Sequence, residues 1–255
     1  MSGSSSPGKG TGPAPAARAR ASSAAARTEA ASAAEPEVAF VAELEAAFVA
    51  ELETALACRA RRLGRLEGFR PAAVLVPLVP RRDGLHLAFI RRVEDGRIHS
   101  GQVAFPGGGM EAEDQDIYAT ALREAEEEVG IPPSSVRILG ALDDSATISS
   151  YIVTPVVGLV TELPDYRLDP REAQEVFEVP LAFLLDPSNE RQVEDVEFLG
   201  HRWPLFEYRF GGKLIWGATG RILNDLLTLA RALPSAGAHG APISEAPEEH
   251  PGETP

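Results

Sequence analysis

Cysteine is almost missing: Cys58 is the only one in 255 residues. Its isolation excludes an intramolecular disulfide framework and a Cys-rich metal centre, and it fits a cytoplasmic, reducing compartment. Long apolar runs are missing too. The longest, Ala72 to Val79, spans eight residues and stops at Pro80. A membrane-crossing helix needs about 18 or more, so no membrane partner is expected. Positive charge is scarce, with 24 Lys and Arg against 38 Asp and Glu, a net charge of −14. A field of that sign repels DNA and RNA, which argues against a nucleic-acid partner, and it repels small anions as well. A phosphate-ester substrate would need a cation to bring it in.

The ends differ from the middle. In residues 1–34, Ala, Ser, Gly and Pro fill 26 positions and no large apolar side chain follows Met1. Such a segment cannot bury enough surface to offset its ordering entropy, so it reads as a disordered tail. Its Arg and Ser content also suits an organelle transit peptide, although Gly and Pro make a poor amphipathic helix. Residues 234–255 hold five Pro and four Glu, with Ile243 as the only large apolar residue, and read as a disordered acidic tail. The acidity therefore belongs to the folded part, residues 35–233.

Within that part, Phe40, Leu44, Phe48, Leu52 and Leu56 recur every four residues and predict an N-terminal helix over 37–65. Val41 and Val49, in a near-repeat of eight residues, suit a homodimer interface as readily as a core. Asp83-Gly84 between two apolar runs signals a hairpin. Further strands are expected at 101–105, 136–142, 152–160, 193–199, 205–210 and 214–216, and helices at 117–129, 181–185 and 219–233. Strands mixed with a few helices point to an α/β (α+β) protein, a mixed sheet flanked by helices.

The densest chemistry is Arg123-Glu124-Ala125-Glu126-Glu127-Glu128-Val129-Gly130-Ile131. On a helix with Glu124 at zero, Glu127 falls at about −60° and Glu128 at about +40°. Tyr118, Leu122, Ala125 and Val129 fall together on a separate apolar stripe. Three carboxylates on one arc repel one another unless a hard divalent cation, Mg²⁺ or Mn²⁺, takes their oxygens. A solvated acidic face is the bland alternative. Ahead of the helix, Phe105-Pro106-Gly107-Gly108-Gly109 ends a predicted strand in a loop that lets a ligand approach the main chain. No Gly-Lys-Ser/Thr follows, so it is not a P-loop.

Together these residues resemble the Nudix box, G-x5-E-x7-R-E-U-x-E-E-x-G-U. Arg123, Glu124, Glu127, Glu128, Gly130 and Ile131 match its second half without a gap. In the first half Gln115 stands where the spacing requires Glu. With one residue inserted, Gly108-x5-Asp114-x8-Arg123 restores a glycine and a loop-anchoring acid. The segment upstream is similar to the signature of the coenzyme A pyrophosphatase branch, L-L-T-x-R-S-A-x3-R-x3-G-x3 before F-P-G-G. Leu87, Arg91, Arg97 and Gly101 fit that register, while Ala88, Phe89, Arg92 and Val93 stand where the pattern has Leu, Thr, Ser and Ala. Downstream, residues 175–181 and 215–219 also look like that branch.

The resemblance implies the Nudix fold, a mixed β-sheet sandwiched between helices, here with an extra N-terminal helix. It implies an enzyme, a pyrophosphatase that hydrolyses CoA or a CoA derivative to adenosine 3′,5′-bisphosphate and (acyl-)4′-phosphopantetheine. Metal ligands would be Glu124, Glu127 and Glu128, with Glu127 the general base and Arg123 orienting a carboxylate. Arg91, Arg97 and Gln102 would meet the substrate beside Gly107 and Gly108. Other readings are a Nudix hydrolase of ADP-ribose or a dinucleotide, a silent nucleotide sensor, and a scaffold whose acidic helix only solvates it.

Overall fold

The structure, a computed structural model, describes residues 43–94, 96 and 100–238. The tail expected over 1–34, the acidic tail after 238, and Phe40, Val41, Arg97 and His99 lie outside the described residues.

Helix α1 (residues 43–58) carries Phe48, Val49, Leu52 and Leu56 into the core. Val49, weighed above for an interface between copies, is thus a core residue. The helix ends seven residues before Arg65 because two carboxylates take over the backbone donors. Asp143 accepts from Arg62 N at 3.0 Å and Asp144 from Gly64 N at 2.9 Å, and Arg59, Arg61 and Arg62 pair with the same two acids.

The sheet begins with β1 (Arg70–Arg81) and β2 (Gly84–Arg92), which pair antiparallel through a turn at Arg82-Asp83, as the Asp-Gly signal predicts. Next come β3 (Val103–Ala104), β4 (Gly107–Gly109) and helix α2 (Ile117–Val129). They are followed by β5 (Val136–Ala141), β6 (Ser145–Ala146), β7 (Tyr151–Val160) and β8 (Ala173–Pro180). The main order is β3-β2-β1-β7-β5, with β4 on β1, β6 on β7 and β8 on β2. Among the described strands β1 and β7 alone run parallel, so the sheet is mixed. Helix α3 (Leu181–Leu185) leads to a smaller antiparallel sheet of β9 (Glu190–Phe198), β10 (His201–Phe210) and β11 (Lys213–Ile215), then helix α4 (Gly217–Arg231).

Period-two alternation on β1 divides the core. Ala73, Leu75 and Val79 pack with Ala121, Ala125 and Val129 of α2. Val76 and Leu78, from the opposite face, pack with α1 and with Leu223, Leu226 and Leu227 of α4. The sheet is therefore sandwiched between helices, as expected. Three strands, β4, β6 and β8, are not foreshadowed by the sequence. The glycine triplet is not a free loop but β4, with Gly107 opposite Val74 and Gly108 opposite Ala73. Strand β8 lines the far side of β2, Phe177 opposite Phe89. The chain also stays ordered past 233: Pro234–Ala238 form a 3-10 turn, and Ser235 donates from N and Oγ to Glu51 at 3.0 and 2.7 Å.

Candidate active site

Helix α2 is set rigidly at both ends. Asp116 caps its start by accepting from Ala119 N at 2.8 Å, and Gly130 ends it with φ 74°, the left-handed conformation that glycine adopts without a Cβ penalty. Beyond Gly130 the last carbonyls need donors. The loop after β7 supplies them: Arg167 N reaches Val129 O at 2.9 Å and Asp169 N reaches Glu128 O at 3.0 Å. Asp169 O in turn accepts from Glu172 N at 3.0 Å. The segment that caps α2 therefore also carries Glu172 to its flank.

Carboxylate oxygens of Glu124, Glu128 and Glu172 lie within 4.8 Å of one another. Two of the three were expected. The third, Glu172, was not, and no spacing in the sequence connects it to the helix. Glu127 departs from expectation in the other direction. Its side chain is 58% exposed and held by Arg123, Nη1 to Oε2 at 3.0 Å, so it does not belong to this cluster. The helix projection puts Glu127 and Glu128 on either side of Glu124 within one arc, but only the Glu128 side of the arc is covered by β4.

That cover sets the chemistry of Glu128, whose side chain is 1% exposed. Its Oε2 accepts from Gly107 N at 2.9 Å, whereas Oε1 is buried with no hydrogen bond and has only the Arg92 guanidinium, at 3.7 Å. Burial pushes Glu128 up to about 8 despite the opposing Arg92 charge and the Gly107 N–H. Glu124 is raised as well, again chiefly by burial. A Cβ on Gly108 would lie 2.5 Å from Glu124 Oε1, so glycine leaves the room this carboxylate fills. Gly107 is pressed against the β1 backbone, where a Cβ would collide with Ala73 O and Val74. Both glycines thus shape the seats of the carboxylates, whereas contact with substrate was the expectation from sequence.

Arg123 holds the assembly together. It donates from Nε and Nη2 to Asp114, from Nη2 to Gly109 O and from Nη1 to both Glu124 and Glu127, each at 3.0 Å. Asp114, also bonded by Thr120 Oγ1 and Glu111 N, is driven well below the usual carboxylate range, first by Arg123. Asp114 is therefore the acid that anchors the loop before α2, despite the inserted residue.

The expected cations fare differently. Arg97 lies outside the described residues. Arg91 shares the register of Leu87 and Phe89 on the face away from α2, and it pairs with Glu94 at 2.7 Å. Gln102 O accepts from Arg92 N at 3.0 Å, tying the ends of the intervening loop. Arg92, passed over in the sequence, is the cation beside the cluster. Alternation along β2 was the available signal, since Arg92 follows Ala88 and Ile90 on the α2 side.

An orphaned buried oxygen among three converging carboxylates fits a hard divalent cation, which takes oxygen ligands and tolerates mixed water coordination. Comparison with known proteins agrees. The NUDIX domain model matches residues 68–203. The chain is similar to the Nudix hydrolase NudL of Photorhabdus laumondii subsp. laumondii, 41% identical over 157 residues, covering 62% of this chain and 83% of that one. NudL of Escherichia coli O1:K1 / APEC is 40% identical over 168 residues, covering 62% and 81%. A solved C. elegans Ap4A hydrolase complex is 18% identical over 42% of this chain and 77% of its own, with a TM-score of 0.38. Since the matched segment runs through β4, α2 and the Glu172 loop, the chain belongs to the Nudix family, hydrolases of nucleoside-diphosphate derivatives.

Proposed function

We propose that this enzyme hydrolyses the diphosphate of coenzyme A or acyl-CoA, releasing adenosine 3′,5′-bisphosphate and 4′-phosphopantetheine or its acyl form. The observation that carries the hydrolytic part is the Glu124, Glu128 and Glu172 cluster with its unbonded Glu128 Oε1. Those three residues would hold Mg²⁺ or Mn²⁺. Such an ion, when bound, neutralises the diphosphate, polarises the attacked phosphorus and lowers the pKa of water.

The chain's own residues do the rest. Arg123 fixes the Glu124 carboxylate and steadies Glu127 at its exposed edge. Glu127, outside the buried cluster, facing solvent and bonded through Oε2 to Arg123, would accept the proton of an attacking water. Gly107 N–H orients Glu128 from the other side. A domain this acidic needs that arrangement, because its net charge of −14 repels an anion.

Support for CoA as substrate comes from three separated segments. The upstream signature has Leu87 and Arg91 on β2, and residues 175–180 on β8 pair with β2, Arg91 opposite Glu175. Residues 215–219 reach the same strand end, Thr219 Oγ1 donating to Val103 O at 3.1 Å. The segments similar to the CoA branch thus meet around β2 and β3. A cytoplasmic setting belongs to the same reading and rests on the free, exposed Cys58. Incubation with CoA and Mg²⁺ or Mn²⁺, with chromatography of the products and a Glu128→Gln control, tests it. Adenosine 3′,5′-bisphosphate formed by the wild type alone is the expected result. Turnover of ADP-ribose or a dinucleotide with none of CoA would sink the substrate assignment.

A further inference from the structure

Arg92 is the feature that the proposed reaction leaves unused. It stands on β2 just past a register shift between Arg91 and Arg92 in the pairing with β8, which sets Arg92 opposite Ala173, next to Glu172. Its backbone is fixed by the bond from Arg92 N to Gln102 O, and that of Val93 by the bond from Val93 N to Glu172 O at 3.2 Å. Its side chain is 35% exposed, and its Nη1 faces Glu128 Oε1 at 3.7 Å, beyond hydrogen-bond length. A guanidinium that makes a charge contact without a bond is held there by field rather than by geometry. The carboxylate it faces is one of the three that would hold a cation.

We infer that Arg92 is a substrate-phosphate ligand that Glu128 retains while no divalent cation is bound. A cation on Glu124, Glu128 and Glu172 competes with Arg92 for Glu128 Oε1. The guanidinium then loses its pairing with Glu128 and, being partly exposed, turns its donors to the oxyanions of the incoming diphosphate. Arginine suits that second role because its fork binds two phosphate oxygens at once. The inference rests on the cluster being a cation site.

Two substitutions separate charge from fork. Arg92→Ser, the residue of the resembled pattern, removes both; Arg92→Lys keeps the charge and loses the fork. Mn²⁺ binding without substrate, followed by electron paramagnetic resonance, should tighten by about tenfold in Arg92→Ser, as expected when a unit charge a few ångströms from the site is deleted. Arg92→Lys should bind Mn²⁺ like the wild type. With saturating Mn²⁺, KM for the diphosphate substrate should rise by about tenfold in both variants, while kcat changes little. Unchanged Mn²⁺ affinity in Arg92→Ser, or an unchanged KM in both variants, overturns the inference. Absence of Mn²⁺ binding by the wild type instead overturns the cation-site reading beneath it.

Discussion

The two faces of the central sheet are packed by different means. On the α1 and α4 side, Phe48, Leu52, Phe89, Leu223 and Leu227 fill a deep core with large side chains. On the α2 side the helix meets the strands through Ala121 and Ala125 against Ala73 and Ala88. Small residues let a helix lie close to its sheet. A close helix brings the neighbouring arc of α2, with Glu124 and Glu128, against β4. One face thus supplies hydrophobic free energy, and the other gives up some of it to seat buried carboxylates. The division teaches that stability and chemistry are separable here, and substitutions on each face should show it.

Glu128→Gln should have the largest effect. Loss of a ligand to a catalytic cation removes several kcal/mol of transition-state stabilisation, so product formation should fall by about a thousandfold. The thermal midpoint without metal should hold or rise, because a buried carboxyl group with an unbonded oxygen has gone. A mutant that melts early would refute the separation at its strongest point. Next, Leu52→Ala on the opposite face should cost about 2–5 kcal/mol in urea unfolding. Its activity per folded molecule should match that of the wild type.

Gly108→Ala brings the two effects to one residue. The new Cβ meets the end of the Glu124 side chain rather than backbone, so the fold should lose less than about 1 kcal/mol. Displacing Glu124 by about an ångström should still lower kcat by about a hundredfold. The smallest effect is expected from pH. Glu128, raised to about 8 by burial, favours its protonated form in the fold. Its contribution to stability is complete below its ordinary value of 4.5 and disappears as pH rises through about 8. Chelator-treated protein should therefore melt lower at alkaline pH than at pH 6, Mg²⁺ should restore it, and Glu128→Gln should show no such slope.

Much of this division could be read from residue order, because α2 is a local object. Its period, its Asp116 and Gly130 ends and the separation of charged from apolar arcs follow from the 13 residues of the helix and the one on either side. What covers each arc does not. Tyr118 and Leu122, on the expected apolar stripe, are only partly buried, and Ala121 lies in the core in their place. A projection puts Glu127 and Glu128 on one arc with Glu124, and only β4, lying over Glu128, separates their roles. Glu172 arrives across the sheet on a loop whose hydrogen bonds to α2 have no counterpart in spacing. The glycine triplet read as a turn because nothing local shows that β1 offers it a partner.

The Asp169 bond to Glu128 O has a thermodynamic consequence. It lies three residues from Glu172 on one short loop, so the closing of the helix end and the completion of the acidic cluster are a single event. Fraying of that last turn withdraws Glu172, and whatever holds Glu172 in place suppresses the fraying. Ligand affinity and local opening are then two measurements of one equilibrium. Exchange of the Arg167 and Asp169 amides should slow in proportion to occupancy of the cluster.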